Sequence, residues 1–189
     1  MIGSWLKHWL RYTVLLLIIL TGMALYFHTE QPANRMPDFS LPIILNASYA
    51  SAARLHLSDI RGEMSVLFFF GLDDCPICLF EIEHWATARR DLENMPINLI
   101  GITYTTNVQQ ITEFCDEYRI DFPICLDTNK DILRKIQQKL GAEYSNTPFK
   151  VVLDKQAKII DWEKPEKETS VREVATKIKN YYKRASSRK

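Results

Sequence analysis

Between Tyr12 and Phe27 the chain carries no charged residue, and residues 14–20 form an unbroken aliphatic run. A helix with one wet face would place polar residues within every turn of such a run, so the pattern is that of a membrane or export segment. Residues 9–27 come close to the ~20 that a helix needs to cross the hydrocarbon core, with Arg11 able to snorkel toward the interface. Trp5 and Trp9 at one end and Tyr26 and Phe27 at the other suit the two interfaces. Lys7 and Arg11 at the start favour a cytoplasmic N-terminus and put the rest of the chain outside the cytoplasm. Two readings stay open, an uncleaved single-pass anchor over residues 1–28 or a signal peptide cut near Gly22-Met23-Ala24. No Cys lies near the end of the run to carry a lipid.

Beyond it, residues 29–36 are mostly polar, with Pro32 and no apolar periodicity, and read as a short linker. Residues 37–183 then alternate between two periods. Residues 65–70 and 97–104 are nearly continuous apolar runs suited to buried strands, and residues 77–94 between them read as a helix. Residues 107–118 form a helix opened by Asn107, and residues 130–140 form one closed by Gly141. A short extended piece, 122–126, lies between these two. Residues 149–153 and 158–162 flank Asp154-Lys155-Gln156-Ala157 as a hairpin, and residues 169–183 make a final helix before a basic tail at 184–189. This order predicts an α/β domain with a central sheet and helices on both faces.

Composition narrows the chemistry. The formal net charge of +1 gives no clustered basic excess, which sets nucleic acid aside. Four cysteines are too few to build a disulfide scaffold in a chain of this length, and two of them stand as Cys75-Pro76-Ile77-Cys78. Cys75 comes after a predicted strand and opens a predicted helix. Unpaired backbone N–H groups and the positive end of the helix dipole favour a thiolate there, so Cys75 is expected at the exposed helix start. Pro76 suits the first helical turn because its missing N–H would have no partner. Cys78, Ile82, Trp85 and Ala86 fall on one stripe, so Cys78 is expected to be buried and able to resolve a mixed disulfide made by Cys75. Zinc binding is the competing use of the motif.

Other residues leave alternatives open. Glu81 flanks Cys78 one turn on; it is either a base for that thiol or a solvated surface carboxylate, the commoner state of Glu. Thr147-Pro148 enters a strand from a loop, a plausible cis site, although trans is the commoner form. Cys115 and Cys125 are either a second disulfide or two buried free thiols.

Jointly, Pro37-Asp38-Phe39, the run from Leu57 to Gly62, Cys75-Pro76-Ile77-Cys78 with Glu81, the run from Phe122 to Asp127, and Thr147-Pro148 before Val151-Val152-Leu153-Asp154 resemble the TlpA/ResA family of membrane-tethered thioredoxin-like oxidoreductases, within the wider redoxin group. The resemblance covers about residues 37–182. It implies a thioredoxin-like fold, a cis peptide at Pro148 opposite the cysteines, Cys75 as attacking thiol, Cys78 as resolving thiol and Glu81 as the acidic residue beside them. It also implies a substrate groove formed by Pro76, Ile77 and Thr147. The implied partners are proteins with cysteine thiols or disulfides and a membrane or periplasmic redox partner, with no cofactor and no metal. Asp73-Asp74 stands where that family usually places Trp before the first cysteine, and Gln156-Ala157 where relatives commonly place Gly. Two other functions compete. A peroxiredoxin-like thiol peroxidase shares the fold core, but its sites usually carry Thr three residues before the reactive Cys, where this chain has Leu72. A metal-handling module would use a wider cysteine spacing and a distal His.

Overall fold

The computed structural model describes residues 9, 12, 14–17, 35–45, 53–73, 75–92, 95–142, 147–163 and 170–187. The chain divides into two compact units, Met1–Pro32 and Ala33–Lys189. In the first, Trp9, Tyr12 and residues 14–17 are helical and exposed. Among the described residues no helix is long and apolar enough to cross a membrane. Most of the segment predicted to span, 9–27, lies outside the described residues.

In the second unit, seven strands form one sheet in the order β2-β1-β5-β4-β3-β6-β7. They are β1 (Ser40–Leu45), β2 (Arg54–His56), β3 (Met64–Phe70), β4 (Ile97–Thr103), β5 (Ile124–Leu126), β6 (Phe149–Leu153) and β7 (Ile159–Glu163). The helices are α1 (Pro76–Arg90), α2 (Val108–Glu117), α3 (Asp131–Leu140) and α4 (Val171–Ser187). β3 runs parallel to β4, and β4 to β5, while β6 lies antiparallel to β3 and β7 antiparallel to β6. This mixed sheet, covered on both faces, is the α/β arrangement that the sequence pattern predicts and the thioredoxin-like fold that the resemblance implies.

The continuous apolar runs are explained by burial on both faces of the sheet. Because side chains alternate across a strand, Val66, Phe68 and Phe70 of β3 join one core with Trp85 of α1, Phe114 of α2 and Val174 and Ile178 of α4. Leu67 and Phe69 point the other way, into a second core with Ile132, Leu133 and Ile136 of α3. Cys75 and Cys78 belong to the first core.

Four features differ from the sequence expectation, one being that α4 continues to Ser187, through most of the tail expected at 184–189. β1 and β2 were not predicted: β1 is half-buried along most of its length and holds Pro42, and β2 has only three residues, so neither carries a strong period. Packing of the domain also takes in residues assigned to the linker, since Met36 is buried, its N–H donates to the Ala157 carbonyl, and Arg35 bridges to Lys158. The helix after the cysteines stops at Arg90, short of residue 94, with Arg89 and Arg90 at its negative end. The 154–157 turn forms as expected. Asp154 Oδ1 accepts from the N–H groups of Gln156 and Lys158, and Ala157 takes φ 59°, the left-handed region where a glycine would be unstrained.

Candidate redox site

β3 ends at Phe70, and Cys75 is the residue that caps the N-terminus of α1, with Pro76 in the first turn. Cys75 and Cys78 are joined by a disulfide. Cys78 is fully buried, as its place on the apolar stripe predicts. Cys75 is buried too, at 4% exposure, which corrects the expectation of an exposed helix start. The cause is the sheet register. β6 pairs antiparallel with β3, Phe69 opposite Phe149, so the loop entering β6 arrives beside the loop leaving β3. The Thr147 carbonyl oxygen lies 3.2 Å from Cys75 Sγ, within reach of a thiol proton in the reduced form. The Thr147–Pro148 peptide is cis, in agreement with the resemblance and against the commoner trans form. Of the residues that the resemblance assigns to a substrate groove, Pro76 is exposed and Ile77 and Thr147 are half-buried.

Glu81 is not a surface carboxylate. It is 1% exposed, and the Lys150 ammonium, equally buried, donates to its Oε1 at 2.7 Å. Helix periodicity turns Glu81 inward one turn past Cys78, and strand alternation puts Lys150 on the same sheet face as Val152, in the core that holds the cysteines. The Lys150 ammonium also lies 5.6 Å from the centre of the Trp85 ring, a cation–π distance. Sequence reasoning missed Lys150. The available signal was a lysine inside a strand whose neighbours are apolar on both faces, a position where a charge needs a buried partner.

Nor does the sequence single out Tyr104, which its pattern places only at the end of a buried strand. Its hydroxyl is 3.0 Å from the Thr147 hydroxyl, and the Lys130 ammonium sits 3.6 Å over its ring. A Cβ at Gly71 would collide with that same hydroxyl, so the ring crosses the backbone just before the cysteine loop. Tyr104 thereby ties the loop leaving β3 to the cis-proline loop. Asp73 is exposed and accepts from Gln110 Nε2 at 3.0 Å, while Asp74 lies outside the described residues.

Cys115 and Cys125 are free thiols, one in each of the two cores, so the structure shows the second of the two arrangements left open by sequence. Burial pushes both thiols up to about 12, with Asp116 adding to the effect at Cys115. They stay protonated and weakly nucleophilic at neutral pH. Among the described residues no group of three or more His, Cys, Asp or Glu side chains is placed to hold a metal ion.

The chain is similar to known redox proteins over part of its length. Over 107 residues the chain is 27% identical to Peroxiredoxin 2 of Picrophilus torridus, covering 54% of this chain and 50% of that protein. Over 80 residues it is 25% identical to the thiol-disulfide oxidoreductase ResA of Bacillus subtilis, covering 42% of this chain and 44% of that protein. The chain thus spans about half the length of the curated relatives it matches. A crystal structure of a thiol:disulfide interchange protein of the thioredoxin family from Chlorobium tepidum superposes with a TM-score of 0.63 at 13% identity, over 79% of this chain and 96% of that one, a likeness of fold. Residues 32–162 match the AhpC/TSA family, and with that span covering more than half of its length the chain belongs to this family.

Proposed function

We propose that the chain is an extracytoplasmic thiol-disulfide oxidoreductase whose Cys75 and Cys78 exchange a dithiol for a disulfide with protein substrates. The observation that carries this reading is the bonded pair itself: one cysteine caps α1 under the cis-proline loop, and its partner is sealed in the core one turn inward. In the reduced form the Cys75 thiolate attacks a substrate disulfide, forming a mixed disulfide and releasing one substrate sulfur as thiolate. Cys78 passes its proton to Glu81, attacks Cys75 Sγ, closes the Cys75–Cys78 disulfide and releases the second substrate sulfur. Two electrons pass to the substrate. The reverse sequence oxidises a dithiol, and the compartment's potential decides the direction.

Two further observations favour protein substrates. Phe80, 53% exposed, lies on α1 one turn from Pro76, and Phe80 and Val108 are the exposed large apolar side chains among the described residues of this unit. Apolar surface beside a reactive pair suits a protein partner rather than a small polar oxidant. The peroxiredoxin relatives support thiol peroxidase activity as the second reading, against which stands Leu72 in the position where peroxidatic sites usually carry Thr. Reduced protein is expected to reduce insulin disulfides faster than it consumes hydrogen peroxide. A peroxide reaction that outruns disulfide exchange would replace this reading with the peroxidase one.

The segment 9–27, uncharged from Tyr12 onward and with Lys7 and Arg11 at its start, supports a single-pass anchor with the domain outside the cytoplasm and a membrane or periplasmic protein to recycle the pair. Protease added to intact spheroplasts should digest the domain. Digestion only after lysis would place it in the cytoplasm.

A further inference from the structure

We infer that Lys150 is a positioning residue for the resolving half of the exchange, holding Glu81 charged so that it can take the proton from Cys78. The inference rests on the proposed exchange and on Glu81 as the acceptor, and extends it to a residue on another element. A lone carboxylate in an apolar core takes its neutral form, and a neutral carboxylic acid cannot accept a thiol proton. Glu81 is in such a core, among residues that include Ile82, Trp85 and Phe68. The ammonium of Lys150, 2.7 Å from Oε1, supplies the compensating charge from β6. It is delivered by the strand that the cis-Pro148 loop begins: Lys150 stands two positions after Pro148, so one segment covers Cys75 and charges Glu81. Burying an ammonium this deeply is costly unless it is paired, and a methionine of similar length would fill the same space. The position therefore calls for a use of its charge.

At the start of the resolving step Cys75 is joined to the substrate sulfur. The Cys78 thiol gives its proton to the Glu81 carboxylate, and the Cys78 thiolate bonds to Cys75 Sγ. The Cys75–substrate bond breaks, and its electron pair leaves on the substrate sulfur. Lys150 neither gives nor takes a proton. Its positive charge is what keeps the acceptor available before the transfer.

The two halves separate with 5,5′-dithiobis(2-nitrobenzoic acid), an aromatic disulfide that releases one coloured thiolate when Cys75 attacks and a second when Cys78 resolves. With full-length reduced protein, Lys150→Met is expected to leave the first release within about two-fold of wild type and to slow the second by about a hundred-fold, the lower range of what a positioned base contributes. Glu81→Gln should slow the same second phase. The double variant Glu81→Gln/Lys150→Met should be no slower than Glu81→Gln alone, because Lys150 then has no carboxylate to charge. Lys150→Gln, which keeps a hydrogen bond to Glu81 without the charge, should behave as Lys150→Met does. A second phase at the wild-type rate in Lys150→Met, equal slowing of both phases, or additive losses in the double variant would each overturn the inference. So would failure of both Lys150→Met and Lys150→Gln to fold, which would make Lys150 a structural strut. If Glu81→Gln itself resolves at the wild-type rate, the role of Glu81 fails first. A slow Glu81→Gln beside a fast Lys150→Met removes only the role of Lys150.

Discussion

A Cys78→Ser variant is expected to accumulate on its substrates as covalent adducts that dithiothreitol dissolves, whereas Cys75→Ser forms none and loses exchange to background. The asymmetry comes from position. Cys75 caps α1, where the helix dipole and free N–H groups favour the thiolate, and retains some exposure, while Cys78 retains none. A substrate sulfur can therefore reach only Cys75, and only Cys78 is placed to release it. The effect is all-or-none, because a serine hydroxyl cannot stand in for a thiolate in either step. Non-reducing gels with mass spectrometry of the bands read the outcome. Adducts in Cys75→Ser of the same kind as in Cys78→Ser would reverse or dissolve the assigned roles.

The second large effect is on stability and separates what the buried ion pair does for the fold from what it does for chemistry. Glu81→Leu strands the Lys150 ammonium in the core and is expected to cost about 3 to 5 kcal/mol in urea unfolding, the usual loss when one partner of a buried pair is removed. Glu81→Leu/Lys150→Met removes both charges and fills the space with apolar atoms. That variant should regain wild-type stability or exceed it by about 1 to 4 kcal/mol. It should nonetheless resolve mixed disulfides slowly, having no proton acceptor beside Cys78. A single variant that loses less than about 1 kcal/mol would mean the pair is solvated, as surface pairs are, and not sealed at 1% exposure.

How far the sequence spoke for itself depended on whether a residue's role is local. The Cys75-to-Cys78 helix start, the runs that became β3, β4 and β6, and the Asp154 turn each rest on neighbours within a few positions, where period and capping can be read. Glu81 could not be settled that way. Its helix position allows either side, and what decides is a lysine 69 positions away in β6. Lys150 and Tyr104 become site residues only because β6 and β4 flank β3 in the sheet, an arrangement that no single stretch of chain encodes. The burial of Cys75 has the same origin, since the cover comes from Thr147. The resemblance to known oxidoreductases supplied the cis peptide and the inward Glu81, and the structure agrees on both. β1 and β2 stayed silent because their strand character comes from pairing, with Leu41 opposite Leu55, and not from apolar alternation.

The proposed function is tested most directly by letting reduced protein react with insulin or with hydrogen peroxide in parallel, and mapping its cysteines after each. The expected result is faster reaction with insulin, one substrate disulfide reduced per chain, and a single new bond between Cys75 and Cys78. Cys115 and Cys125 should remain thiols, and at pH 8 they should resist alkylation until the protein is unfolded, since thiols pushed up to about 12 are almost wholly protonated there. Faster reaction with peroxide, or oxidation that maps to Cys115 or Cys125 in place of the Cys75–Cys78 pair, would contradict the account.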